Sequence, residues 1–255
     1  MIILLACSAT TEDDLTDNNS EQNEDNTETD VVAPGTSYDI TNVLTKFLTS
    51  DNLSYKIINE TIYIYSLGIP NHKSPYFKDT QWEESMYEDY NSNSFRLNPN
   101  RIGIQDYEFR IPLHPTVATN KSNTPMGAMG VSINGIPFYN QYAARGASLT
   151  NEIFSFDQYS GHPDGGSRYH YHVEPLHLTD LKGEDAFLGL LLDGFPVYGP
   201  KENGKMIDDE DLDAYHGHLS ITPDFPNGIY HYHITATDPY INGDGFYGVA
   251  GTVSN

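Results

Sequence analysis

The four-residue word Tyr-His-Tyr-His occurs twice in this chain, as Tyr169-His170-Tyr171-His172 and as Tyr230-His231-Tyr232-His233. An upstream motif is repeated as well. Met129-Gly130-Val131-Ser132-Ile133-Asn134-Gly135-Ile136-Pro137-Phe138-Tyr139 matches Leu188-Gly189-Leu190-Leu191-Leu192-Asp193-Gly194-Phe195-Pro196-Val197-Tyr198. Asn-Gly or Asp-Gly between apolar runs is the strongest short-range hairpin signal, because a tight two-residue turn needs φ > 0 twice. From the hairpin Gly to the first Tyr the separation is 34 residues in one copy and 36 in the other. Two motifs in one order at nearly equal spacing read as a duplicated β unit, with repeats about 126–173 and 188–236. The fold class that follows is mainly β, an antiparallel sandwich or barrel-like domain with few short helices.

Alternate residues of a strand face opposite sides. The Tyr side of each word is the apolar one and is expected to pack on the core. The His at i and i+2 then share the other face, close enough for one ion to bridge them at the bonds of ~2.0–2.1 Å that imidazole forms. If the two words lie on adjacent strands, His170, His172, His231 and His233 gather on one patch. His162, His216, His218 and His72 are further candidate ligands, and Asp157, Asp193 and Glu174 are carboxylates that could ligate or orient a ring. Imidazole-rich sites without thiolate favour a divalent ion such as Zn or Cu, and Asn242-Gly243-Asp244 leaves Ca open. The competing reading is that each ring is capped by its own acceptor and only stabilises the fold.

Cys7 is the only cysteine, so an intrachain disulfide and a Cys₂His₂ zinc finger are both excluded. Multicopper oxidases, which also use His-x-His pairs, need more His and a Cys between their copper centres. Met1 to Cys7 reads MIILLAC, and its Leu4-Leu5-Ala6-Cys7 resembles the lipobox of bacterial lipoproteins, in which the Cys is lipidated. Only six residues precede Cys7, shorter than a signal peptide of roughly 15–30 residues. Residues 8–37 carry nine acidic residues and no Lys or Arg, the composition of a disordered tether. One folded domain, residues 38–255, follows. The expectation is a cell-envelope lipoprotein, on the outer membrane or cell surface, held to the membrane through Cys7. A formal charge of −23 argues against a nucleic-acid partner. No dinucleotide fingerprint, P-loop, Gly-x-Ser-x-Gly or His-Glu-x-x-His is present, so no nucleotide cofactor is expected.

The combination of Gly68-Ile69-Pro70-Asn71-His72, Asn134 to Asn140, Gly161-His162-Pro163, Tyr169 to His172, Leu192 to Gly199 and Tyr230 to His233 resembles the bacterial YHYH-domain family. The resemblance covers roughly 55–251. It implies an exported or surface protein and carries no reaction or catalytic residues with it. Relatives often have a Cys just before the Gly-His-Pro segment, where this chain has Ser160.

Two functions compete. One is a metal-binding exported protein, as an enzyme a hydrolase or oxidoreductase, in which a metal-activated water or a redox metal would do the chemistry. The other is a non-catalytic surface module for a small molecule, glycan or protein. In that case Tyr76, Trp82, Tyr87 and Tyr90 would supply the contact and the His would be structural.

Overall fold

The computed structural model describes residues 36–255, and everything below concerns those residues. The lipobox-like segment 1–7 and most of the acidic segment 8–37 therefore lie outside the described residues. None of the described helices is long and apolar enough to cross a membrane.

A 3₁₀ helix, Thr41–Lys46, stands where helical spacing predicts a helix over 39–49, and it buries Val43 and Leu44. Strands β1 (Leu53–Ile58) and β2 (Thr61–Ser66) form a hairpin where the Ile/Tyr-rich segment reads as either a strand pair or one bent strand, and β3 (Tyr107–Pro112) follows an excursion containing helix α1 (Glu83–Met86). The first repeat supplies β4 (Gly130–Ser132), β5 (Pro137–Phe138), the small hairpin β6 (Tyr142–Ala143) with β7 (Ala147–Ser148), then β8 (Gly161–Pro163) and β9 (Tyr169–Tyr171). Helix α2 (Leu176–Lys182) leads into the second repeat. Its strands are β10 (Phe187–Leu191), β11 (Pro196–Tyr198), the hairpin β12 (Lys201–Glu202) with β13 (Lys205–Met206), β14 (Gly217–Thr222) and β15 (Phe225–His233). Strand β16 (Thr252–Ser254) ends the chain.

Two main sheets result, sandwich-like and not a closed barrel, with the β6–β7 and β12–β13 hairpins as separate two-stranded sheets. One has the order β1-β2-β3-β16 and the other β14-β15-β11-β10-β4-β5-β9-β8. The second order is a palindrome of the two repeats. Hairpin β10-β11 corresponds to β4-β5, and β14-β15 to β8-β9, so the halves meet at the antiparallel pair β4–β10. Most neighbours are antiparallel, while β5–β9 and β11–β15 are parallel. Burial patterns show why the sheets differ. In β2 and β3 buried residues alternate with partly exposed ones, and Ile62, Ile64, Phe109 and Ile111 face one core. Strand β10 is buried along its whole length, as a strand covered on both faces must be.

The structure separates the two Tyr-His-Tyr-His strands, so the single four-His patch does not form. Four strands lie between β9 and β15. Five spacings of about 4.8 Å put them on the order of 24 Å apart. The turns differ too. Gly135 and Gly194 have φ of 84° each, and neither Asn134 nor Asp193 has positive φ. The bonds from Gly135 N to Ser132 O and from Gly194 N to Leu191 O, each followed by a return bond across the turn, fit a longer turn closed by a single left-handed glycine. Freed from supplying φ > 0, Asn134 and Asp193 turn their side chains inward.

Candidate metal centres

Each Tyr-His-Tyr-His strand pairs with a preceding strand that carries one more histidine. His162 of β8 lies opposite His170 of β9, and His218 of β14 lies opposite His231 of β15. Both partners belong to a Gly-His dipeptide, and the glycine is sterically required. A Cβ on Gly161 would sit 2.4 Å from the Tyr169 ring, and one on Gly217 would sit 2.5 Å from the Tyr230 hydroxyl.

The tyrosines fix the strands from the core side, as their apolar face predicts. Tyr169 and Tyr230 donate to Asp157 and Asp213, whose Oδ1 atoms also accept backbone N–H groups of the following turns. Tyr171 meets Asn134, and Tyr232 donates to Asp193 at 2.6 Å. The hairpin residue and the pre-strand aspartate thus hold equivalent tyrosines in the two repeats. Burial raises Asp157 and Asp193 to about 6, against the hydrogen bonds they accept.

On the opposite face the rings converge. In the first centre His162 Nε2 is 3.1 Å from His170 Nε2, which is 3.0 Å from His172 Nε2. His170 Nδ1 contacts the Arg168 carbonyl at 2.9 Å and His172 Nδ1 the Asn140 carbonyl at 2.5 Å. Carbonyls only accept, so both Nδ1 atoms carry the proton. The Ser155 hydroxyl donates to Glu152 O and so accepts from His162 Nδ1 at 2.7 Å. All three Nε2 atoms are therefore unprotonated, and those of His162 and His172 both face that of His170. A shared proton does not relieve this at neutral pH. Burial pushes His162 down to about 3 and His172 to about 4, and burial together with its two neighbouring rings holds His170 well below 6.5.

The second centre repeats the pattern. His231 Nδ1 donates to Ile229 O and His233 Nδ1 to Gly199 O, leaving their Nε2 atoms 3.0 Å apart. His218 Nε2 is buried with no hydrogen-bond partner. Glu202, on β12, brings Oε1 to 3.6 Å from both His218 Nε2 and His231 Nε2. Burial works against its charge, but His218, His231 and the Ser220 hydroxyl hold its carboxyl well below the usual range. Ligand atoms of His162, His170 and His172, and separately of Glu202, His218, His231 and His233, lie within 4.8 Å of one another.

Six of the eight predicted His fall into these groups, and two do not. His72 bonds Lys73 O and the Tyr171 hydroxyl, and His216 bonds Thr235 Oγ1, so each is capped locally. Asp157 and Asp193 hold tyrosines and orient no histidine ring, and Glu174 makes no ion pair or hydrogen bond among the described residues. Backbone carbonyls orient His170, His172, His231 and His233 instead, and the Ser155 hydroxyl orients His162. Asp244, in the segment left open for Ca, accepts from Gln141 and the Tyr142 hydroxyl and joins no metal-holding group among the described residues. Of the aromatics considered for ligand stacking, Tyr76 is fully buried and bonded to Ser155 O, and Trp82 packs on Phe77. Glu202 and Glu152 carry no sequence signal, because they sit on dissimilar insertions between hairpin and strand pair. The Gly-His dipeptide before each word is the signal that finds His162 and His218 together.

No curated protein and no solved structure matches this chain. The family model described as YHYH protein matches residues 108–209 and 201–244, which together span more than half of the chain and take in both centres. The chain belongs to the YHYH protein family.

Proposed function

We propose that this is an exported, lipid-anchored protein that holds a transition-metal ion, Zn or Cu, in each of two three-histidine centres. The observation that carries the reading is the first centre: three buried, neutral imidazoles bring unprotonated Nε2 atoms together, His170 Nε2 lying 3.1 Å from that of His162 and 3.0 Å from that of His172. Facing lone pairs repel, and only a cation relieves three at once. Two bonds of ~2.0–2.1 Å at the tetrahedral angle span about 3.3 Å, close to the spacing seen. Imidazole nitrogens suit Zn and Cu and are poor ligands for Ca. The anchoring rests on Leu4-Leu5-Ala6-Cys7 and the acidic segment after it. A metal-dependent hydrolase or oxidoreductase is the class of activity such a centre could serve.

Metal analysis of protein purified without chelator, then titrated with Zn and with Cu, tests the reading. Up to two ions per chain are expected, with a higher Tm for the loaded protein. No stoichiometric metal, and no change of Tm on adding either ion, overturns it.

A further inference from the structure

The two centres differ in what completes them. The second has a carboxylate in place, since Glu202 belongs to the same 4.8 Å group as His218, His231 and His233. Glu202, His231 and His233 line a small cavity of about 70 Å³. The first has three nitrogens and no carboxylate in its group. The nearest, Glu152 Oε1, is 3.7 Å from His162 Nε2, and it lies outside the set of mutually close ligand atoms.

The first centre also has a place for a ligand. His170 and His172 form part of the wall of a cavity of about 240 Å³, together with Glu152, Arg145, Arg168 and Tyr142. The charges on that wall are uneven in their engagement. Arg168 is committed to Asp164, also on the wall, through Nε at 2.7 Å and its terminal amine at 2.6 Å. Arg145 makes no ion pair or hydrogen bond among the described residues. It sits, at φ of 66°, in the turn that joins β6 to β7. Two arginines against Glu152 and Asp164 leave the wall neutral, and a divalent ion on the three His would make it +2. That field and the free guanidinium suit a small oxyanion, because guanidinium binds carboxylate and phosphate through paired donors. The volume is below the ~300–1,000 Å³ of drug-sized sites, which limits the ligand to a few heavy atoms beyond its charged group.

We propose that the first centre is the ligand-binding one: its metal keeps an open position that takes a small carboxylate or phosphate compound, which Arg145 helps to hold, whereas Glu202 closes the second centre. This rests on the metal-binding reading.

The test is protein reconstituted with Co²⁺ and titrated with acetate and with inorganic phosphate, read by visible absorption. The expected result is two bound Co²⁺, of which one changes its spectrum with the anion. Arg145→Ala should bind two Co²⁺ and weaken the anion response about tenfold, the loss expected for one charge-assisted contact. Arg145 is exposed, so this variant should fold. Glu202→Ala should make the second ion responsive as well. Failure to bind Co²⁺ overturns the metal-binding reading. Two bound ions that both respond, or neither, or a response unchanged in Arg145→Ala, overturn the present inference and leave the first intact.

Discussion

At the scale of single residues, the protonation of a ring and the absence of a Cβ set the centres. Gly161 has no room for a side chain, because Tyr169 lies where a Cβ would go. Gly161→Ala is expected to cost about 1–3 kcal/mol by overpacking and to weaken metal binding at His162 and His170. Gly165, with nothing within 4 Å of its Cβ position, is the control, and Gly165→Ala should stay within about 0.5 kcal/mol. Chemical denaturation of both variants, with metal titration, measures the contrast. The buried rings also set a pH dependence. His72, His162, His172, His216 and His233 are held at about 3 to 4 by burial, and His170 well below 6.5. A depressed group contributes stability that is present above its unfolded value of 6.5 and lost as pH falls through the folded one. Asp157 and Asp193, raised from 3.8 to about 6, work the other way, with stability lost as pH rises through about 6. Six groups outweigh two, so the metal-free protein should show a falling Tm from about pH 7 to about pH 4 in a scan with chelator present. A flat or rising Tm would mean the rings are not buried neutral.

Among the elements, the ones with strong local rules were legible in the sequence. The Tyr-His-Tyr-His strands, their apolar tyrosine face and the hairpins before them follow from period-2 alternation and turn chemistry. The β1–β2 segment was less readable: it fitted a strand pair or one bent strand, and the structure makes it a hairpin with Asn59-Glu60 at its turn. Both turn residues have positive φ, 47° and 60°, which suits Asn and strains Glu. Glu60→Gly is therefore expected to stabilise the protein by about 0.5–1 kcal/mol, the left-handed penalty less the entropy of glycine, as a shift in denaturation midpoint. Which strands lie side by side was not legible. Sequence order favours neighbouring strands, yet β5 reaches β9 and β11 reaches β15 by parallel crossovers. For the same reason His72 and His216 could not be told from ligands: a capped ring and a coordinating one are the same letter. Glu202 was invisible because a two-residue strand in a polar hairpin has no pattern to read.

For the whole molecule, two centres at opposite ends of one sheet, each holding an ion as proposed, would make stability depend on metal as two separable increments. Saturating one site at 100-fold over its Kd adds about 2.7 kcal/mol, and roughly 2–4 °C of Tm per kcal/mol is usual at this size. Removing both ions with chelator should then lower Tm by roughly 10–20 °C. His172→Ala and His233→Ala should each forfeit about half of that in thermal melts. The charge of −23 favours cation capture in general, so the melts belong at moderate salt, where diffuse attraction is screened. Anchoring is tested separately: an alkyne-tagged fatty acid fed to producing cells should label the wild type and not Cys7→Ser.

The palindromic strand order has a consequence for descent. A single repeat standing alone would present the edge of its first strand, and two copies would pair there about a true two-fold axis, as isologous homodimers do. In such an ancestor every substitution falls on both centres at once, so a carboxylate that closed one would close the other. Fusing the copies into one chain breaks that identity. Glu202 on one side and a cavity lined by Arg145 on the other are a divergence that a homodimer of identical chains cannot hold.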